Sequence, residues 1–374
     1  MLPEPRYSKK RNALFISVAV VGAIFFLEIF ASWVLMLHMR LQKGEYFTKT
    51  EPTYFSLLNF PYKVGLKVGL FDQSLASPFE YRKIEEPNPK FEPDPELGYK
   101  HLPGRYRVIF SRRARNSSEW ERLFVNETIK HDGTRWTGEC EQSSSANVYI
   151  FGGSTVYGSG VNDEQTFAFL LQQARKDLCV KLFAVGGYGM TQSFIQFHKL
   201  LAQIKPNDIV ILGYEDALDT RTVVAPSRLR EVRDWVKSHG RAQERVMLPK
   251  ATLDGEGAIQ ISYVQQHCDE NDGYCDQHDP TKDEMSRVTA ELINEIAKTS
   301  SAPVYLLHYG GTKKNPVLGL LSGSVRRISA LDEDFNYVSM DGVMGFDPHP
   351  GPYWHYAISR KLIETFAHRN HHSD

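Results

Sequence analysis

The chain has 374 residues and carries 44 Lys and Arg against 45 Asp and Glu, a net charge of −1. That balance, with no basic tract interleaved with aromatics, excludes an electrostatic nucleic-acid footprint. The length suits one large domain with additions or two modest ones.

Residues 1–12 are polar and hold Arg6, Lys9, Lys10 and Arg11. Residues 13–37 then read ALFISVAVVGAIFFLEIFASWVLML, 25 residues with Glu28 as the single charge. A helix of that length crosses a hydrocarbon core of about 30 Å. The apolar run exceeds that of a cleaved signal, and Ala31-Ser32-Trp33 makes a poor cleavage site, so a retained anchor is expected. Only Arg40 and Lys43 follow closely; the heavier N-terminal cluster predicts a cytoplasmic N-terminus and an extracytoplasmic body. Glu28 is expected to be protonated or packed against a partner helix. The expected protein is single-pass, with the bilayer as a partner through residues 13–37.

Residues 38–95 are read as a juxtamembrane segment and linker. YFSLLNFPYKVGLKVGLF could lie along the membrane surface or form a buried helix broken at Pro61, and EEPNPKFEPDP (85–95) has linker composition. Residues 96–145 hold strand-like RYRVIF and the turn His131-Asp132-Gly133, which predicts a small β-rich lead-in.

From residue 146 to about 370, apolar runs alternate with amphipathic stretches. Strands are expected at 148–153, 181–187, 208–214 and 302–309, and helices at 165–176, 193–204, 283–298 and 354–368. Apolar strands alternating with helices call for a parallel sheet covered on both faces, an α/β architecture. Ligands of such sheets bind beyond the carboxyl ends of the strands, which directs attention to Ser154, Gly187, Glu215 and the stretch around residue 349.

All four cysteines lie beyond the expected span. Cys268 and Cys275 bracket the short polar DENDGY, and Cys140 and Cys179 each precede an apolar run, so two disulfides are expected in an oxidising compartment. The competing zinc site lacks CxxC spacing or paired histidines, so no metal and no other cofactor is expected.

FGGSTVYGSGV could be a strand closing in a glycine turn, or a nucleophile presented at a strand tip. A serine needs a base. His349 in DPHPGPYWH is the candidate, with Asp347 to orient its imidazole, while His355 is expected in packing or at the surface.

Four segments together resemble the SGNH (GDSL-like) esterase and lipase superfamily, in chain order over about residues 146–368. FGGSTVYGSGV resembles the first block, with Ser154 as nucleophile and Gly153 where many members carry Asp. AVGGYGMTQ resembles the second, whose glycine, here Gly187, gives an N–H to the oxyanion hole. VILGYEDALD resembles the third, normally Gly-x-Asn-Asp, with Glu215 at the asparagine position. DPHPGPYWH resembles the fifth, normally Asp-x-x-His-Pro, here shortened by one; Asp341 is a fallback partner for His349. DPELGYKHLPG and TIKHDGTRW resemble the lead-in of membrane-anchored envelope members.

The resemblance implies a three-layer α/β/α, flavodoxin-like fold and a membrane-anchored serine esterase acting on an O-acyl group of an envelope carbohydrate. It would use Ser154, His349 and Asp347 as the catalytic set, with Ser154 and Gly187 N–H groups for the oxyanion. Tyr157, Tyr188 and Tyr214 flank these blocks as candidate substrate-lining residues. An ionised Glu215 would repel an oxyanion. It serves only if burial keeps it protonated, unless Asn207 or a backbone N–H takes its place. The same acyl-enzyme would serve an O-acyltransferase, and Glu215 also fits a catalytically weak carbohydrate-binding or scaffold protein. The implied location is a bacterial inner membrane, facing the periplasm.

Overall fold

The computed structural model describes residues 79–114, 117–239, 246–265, 273–275, 277–309, 315–329 and 349–367. The expected span at 13–37, Asp347, Asp341 and Cys268 lie outside the described residues. No helix among the described residues is long and apolar enough to cross a membrane. The chain divides into two compact units, residues 1–81 with 112–121 and residues 82–111 with 122–374. Every segment of the candidate site belongs to the second.

Five parallel strands form the central sheet: β6 (Ala146–Phe151), β7 (Leu178–Leu182), β8 (Ile209–Tyr214), β11 (Val304–His308) and β12 (Val325–Ser329), in spatial order β12-β11-β8-β6-β7. Counted along the chain this is the 2-1-3-4-5 order of flavodoxin-like sheets. The first strand lies between the second and third, which puts the topological switch point between β6 and β8. Side chains alternate across β6. Val148 and Ile150 face one core with Phe167, Leu171, Trp354 and Leu362, while Tyr149 and Phe151 face the other with Met190, Phe197, Leu292 and Ile296. Helices α2 (Phe167–Ala174) and α8 (Pro352–Ala367) therefore cover one face, and α3 (Met190–Leu200) and α6 (Lys282–Thr299) the other. The α6 start is fixed locally: Thr281 Oγ1 accepts from Glu284 N at 3.2 Å, and the Glu284 carboxylate accepts from Thr281 N at 2.7 Å.

Three expectations change. The 85–95 linker is instead the end of β1 (Phe79–Glu86) followed by β2 (Phe91–Asp94), which pairs antiparallel with β3 (Gly98–His101). Proline-rich composition misleads here because a two-stranded ribbon has no central strand in which a missing N–H breaks the ladder. The lead-in continues as β4 (Gly104–Ala114) and β5 (Glu121–Ile129), so β structure begins before residue 96. Between the strand expected at 208–214 and the helix expected at 283–298, where the sequence reading places no element, lies an antiparallel hairpin of β9 (Met247–Leu253) and β10 (Ile259–Gln265).

Cys140 and Cys179 are disulfide-bonded, their Cα atoms 5.0 Å apart and 39 residues apart in sequence. Cys275 is also disulfide-bonded. Closing a loop of that length removes chain entropy from the unfolded ensemble worth about 3–4 kcal/mol. Replacing both Cys140 and Cys179 by serine is expected to lower the stability measured by urea denaturation by about that amount; an unchanged midpoint would contradict the constraint.

His355 lies in α8 with no exposed surface, stacked on Phe167 at 5.8 Å, its Nδ1 accepting from Phe167 N at 3.3 Å. It packs, as expected. Burial, aided by the positive charges of Arg135 and His349, pushes it from 6.5 down to about 3. The unfolded chain binds this proton below about 6.5 and the folded chain does not, so its contribution is complete above that pH and is lost as pH falls toward 3. The melting temperature should therefore drop between pH 7 and pH 4, and His355→Phe should flatten that slope. A variant with the wild-type slope would rule out His355 as a source.

Candidate active site

β6 ends at Phe151, and after Gly152 and Gly153 the chain enters the short helix α1 (Ser154–Tyr157). Ser154 opens it, so its N–H is among those the helix leaves without an internal partner. The residue is largely buried, and its hydroxyl has no hydrogen-bond partner among the described residues. Across the sheet Phe151 pairs with Leu212 of β8, so Ser154 and Glu215 stand three residues beyond paired positions, at one rim and beside the switch point. Gly213 is needed for this closeness: a Cβ there would collide with the Val156 side chain of α1.

The turn after β7 meets the same rim. A Cβ on Gly186 would lie 4.0 Å from the Ser154 Cβ, and the Tyr188 carbonyl lies 3.1 Å from where a Gly153 Cβ would be. Gly187 has φ of +85°, and any side chain on it would strike the Tyr99 hydroxyl, so both backbone and space require glycine. Tyr99, from β3, donates to Gly186 O at 2.8 Å, and the Tyr188 hydroxyl donates to Tyr99 O. The lead-in hairpin thus braces the second-block turn.

His349 precedes α8 and is partly buried. The first turn of α8 packs Trp354 against Tyr309, the residue after β11, at 5.6 Å, which puts the segment before α8 at the carboxyl end of the sheet. Burial pushes Glu215 upward, and Arg221 and His349 oppose the shift. Ser154, the Gly187 turn and Glu215 meet at one rim, and His349 lies at the same end of the sheet. A second histidine, His308, ends β11 in register with Tyr214 and lies 3.9 Å from Asp216, beyond hydrogen-bond reach. β11 is two strands from β6, a separation of about 10 Å, which leaves His308 a poor base for Ser154.

Several expectations are corrected. Tyr157, Tyr188 and Tyr214 are buried, and their hydroxyls are engaged with Glu127 Oε2, Tyr99 O and Asp219 Oδ1. They support the rim from within and offer little surface to a substrate. Asn207 precedes β8, at the opposite end of the sheet, where its Nδ2 donates to Ser145 O at 2.6 Å; it cannot replace the third-block asparagine.

Sequence reasoning missed Arg135. This guanidinium has no exposed surface and clamps the segment after the nucleophile. Nε donates to Asp163 Oδ1 at 2.8 Å, Nη1 to Tyr157 O at 2.9 Å and Gly158 O at 2.8 Å, and Nη2 to Val161 O at 2.6 Å. Its face lies 4.7 Å from the Tyr157 ring centre. Beside it, Lys90 and Glu127 form a buried ion pair. Burial opposes the Glu127 charge, but Lys90 and Arg135 prevail and hold it at about 2. The signal in sequence was the resemblance of TIKHDGTRW to a lead-in, which carried no role for the arginine. A recess of about 920 Å³ lies on this lead-in side, lined by Arg105, Arg107, Glu127, Lys130 and Trp136 among others, and none of Ser154, Gly187, Glu215 or His349 borders it. Among the described residues no cluster of His, Cys, Asp and Glu could hold a metal ion.

No family model matches the chain, and no curated protein matches it. Among solved structures, a member of the lipolytic G-D-S-L family from Veillonella parvula matches at 10% identity over 60% of this chain and 100% of its own, with a TM-score of 0.35. The psychrotrophic esterase EstA from Pseudoalteromonas sp. matches at 12% identity over 60% and 97%, with a TM-score of 0.33. LAE5, an alpha/beta hydrolase enzyme from the metagenome of Lake Arreo, matches at 10% identity over 60% and 96%, with a TM-score of 0.30. Likenesses of this size assign neither family nor activity to the chain.

Proposed function

We propose that the chain is a membrane-anchored serine esterase of the SGNH type, cleaving an O-acyl ester of an extracytoplasmic carbohydrate. The observation that carries this reading is the meeting of Ser154, the Gly187 turn and Glu215 at one rim of a 2-1-3-4-5 sheet, with His349 at the same end. Ser154 Oγ attacks the ester carbonyl while His349 takes its proton; Asp347 orients the imidazole. The oxyanion is received by the Ser154 and Gly187 N–H groups. The leaving alcohol takes the proton back from His349, and water then cleaves the acyl-enzyme by the reverse proton path. The Cys140–Cys179 bridge supports an oxidising compartment, in keeping with an anchor at residues 13–37, a cytoplasmic N-terminus and a body facing the periplasm.

The test is hydrolysis of an acyl-chain series of chromogenic esters, run beside O-acetylated glycans, with the full chain. The reading expects turnover of short-chain esters and release of acetate from the glycans. Transfer of the acyl group to a glycan hydroxyl in place of release would convert the assignment to acyltransferase. Absence of turnover on every substrate would overturn it.

A further inference from the structure

The third-block position raises a chemical problem, because Glu215 stands where a neutral amide would donate to the oxyanion. The neighbouring geometry supplies a different donor. Arg221 lies in α4 (Leu218–Thr222), the short helix that follows β8. Its backbone is locked against the second-block turn. A Cβ on Gly189 would fall 2.7 Å from Arg221 C, Met190 N donates to Thr222 Oγ1 at 3.0 Å, and Thr191 Oγ1 donates to Thr222 O at 2.6 Å. From this anchor the side chain reaches the nucleophile turn, with Nη1 3.6 Å from where a Gly153 Cβ would be.

Nη1 is buried and has no hydrogen-bond partner among the described residues. A guanidinium is always protonated, and a buried donor of a charged group is costly to leave unpaired. Arg135, which is fully buried where Arg221 is partly so, uses Nε, Nη1 and Nη2 on protein acceptors. Arg221 keeps one aimed toward the residue before Ser154. Its charge also acts on the Glu215 carboxyl.

Resting on the esterase reading above, we propose that Arg221 is a catalytic residue whose Nη1–H is the third donor to the oxyanion, with Glu215 as its countercharge. When Ser154 Oγ bonds to the carbonyl carbon, the π pair moves onto the carbonyl oxygen and the serine proton moves to His349. The negative oxygen then accepts from Ser154 N–H, Gly187 N–H and Arg221 Nη1–H. On collapse the pair returns to the carbonyl, the bond to the alcohol oxygen breaks, and that oxygen takes the proton from His349. Arg221 is charged throughout, and an ionised Glu215 offsets that charge, so the empty site stays close to neutral. The arrangement accounts for a carboxylate in a place otherwise hostile to an oxyanion.

The test is steady-state hydrolysis of p-nitrophenyl acetate by the full chain and its Arg221→Ala, Arg221→Gln and Arg221→Ala/Glu215→Asn variants, each checked by thermal melting. Arg221→Ala should lower kcat by about 10²–10³-fold with little change in KM, the loss found when one oxyanion donor is removed. Arg221→Gln, which keeps a neutral donor, should lose less. The double variant should regain at least about tenfold over Arg221→Ala, because an asparagine amide restores a donor and removes the uncompensated charge. A structural arginine would give no such rescue. Arg221→Ala with kcat near wild type, or a double variant no better than the single one, would overturn the role of Arg221 while leaving the esterase reading intact. A wild-type protein that hydrolyses no ester would instead remove the esterase reading, and the proposal with it.

Discussion

Ser154→Ala is expected to lower ester turnover by about 10⁴–10⁶-fold, the range seen when a serine nucleophile is deleted from an assembled hydrolase site. The size of the effect follows from its place in the structure. Ser154 sits at the switch point of the sheet, with its hydroxyl bonded to no described residue, beside the Gly187 turn and at the same end of the sheet as His349. Because that hydroxyl satisfies no acceptor among the described residues, its removal leaves none of them unpaired. The melting temperature should therefore stay within about 2 °C of wild type. Loss of activity with an unchanged melt identifies chemistry; a comparable loss of both would point to a serine that merely holds the turn. Retained turnover would place the nucleophile elsewhere.

The largest stability effect is expected at Arg135. The side chain is fully buried and holds the Asp163 carboxylate together with the carbonyls of Tyr157, Gly158 and Val161. Its backbone N–H also bonds Leu182 O at 3.0 Å, tying the lead-in to the end of β7. In Arg135→Ala the buried Asp163 carboxylate loses its cation and the carbonyls of Tyr157, Gly158 and Val161 each lose a donor, Gly158 O keeping its bond from Val161 N. Breaking a buried ion pair from one side costs about 3–5 kcal/mol, because the remaining charge stays in a medium that cannot solvate it. Burial already pushes Asp163 upward against the pull of Arg135, so in the variant it will be protonated at higher pH. For a domain of this size the loss corresponds to a fall of about 6–15 °C in melting temperature. Arg135→Lys should recover only part, since an ammonium lacks the planar fork that reaches several acceptors together. Both are measured by thermal and urea denaturation; an Arg135→Ala melt within about 1 °C of wild type would contradict the clamp. Activity should fall with stability in the same variant, because the clamped segment directly follows the nucleophile helix.

The alternation of apolar runs and helical stretches makes the sheet legible from 146 onward, because its central strands, β8 and β11 above all, are buried along nearly their whole length and read as continuous apolar segments. The four strands found that way lie next to one another in the sheet. β12 escapes that signal, since VRRIS is an edge strand with only Val325 and Ile328 buried and two exposed arginines between them. The candidate site was legible as strand-end residues, and Ser154, Gly187 and Glu215 fall at the rim for that reason. What local sequence does not encode is the identity of distant partners. Tyr157 and Tyr188 look like rim aromatics until Glu127 and Tyr99, 30 and 89 residues away, are seen to hold their hydroxyls. Arg135 has the same difficulty, for its acceptors begin 22 residues downstream. Asn207 was misplaced by nearness in sequence to β8, although a strand separates its two ends and only the carboxyl end faces the site.

Treatment of the full chain with a fluorophosphonate, followed by mass-spectrometric mapping of the modified peptide, tests the central assignment most directly. A single phosphonyl adduct on Ser154, formed at neutral pH and lost in His349→Ala, is the predicted result. An unlabelled protein, or an adduct on another residue, would contradict it.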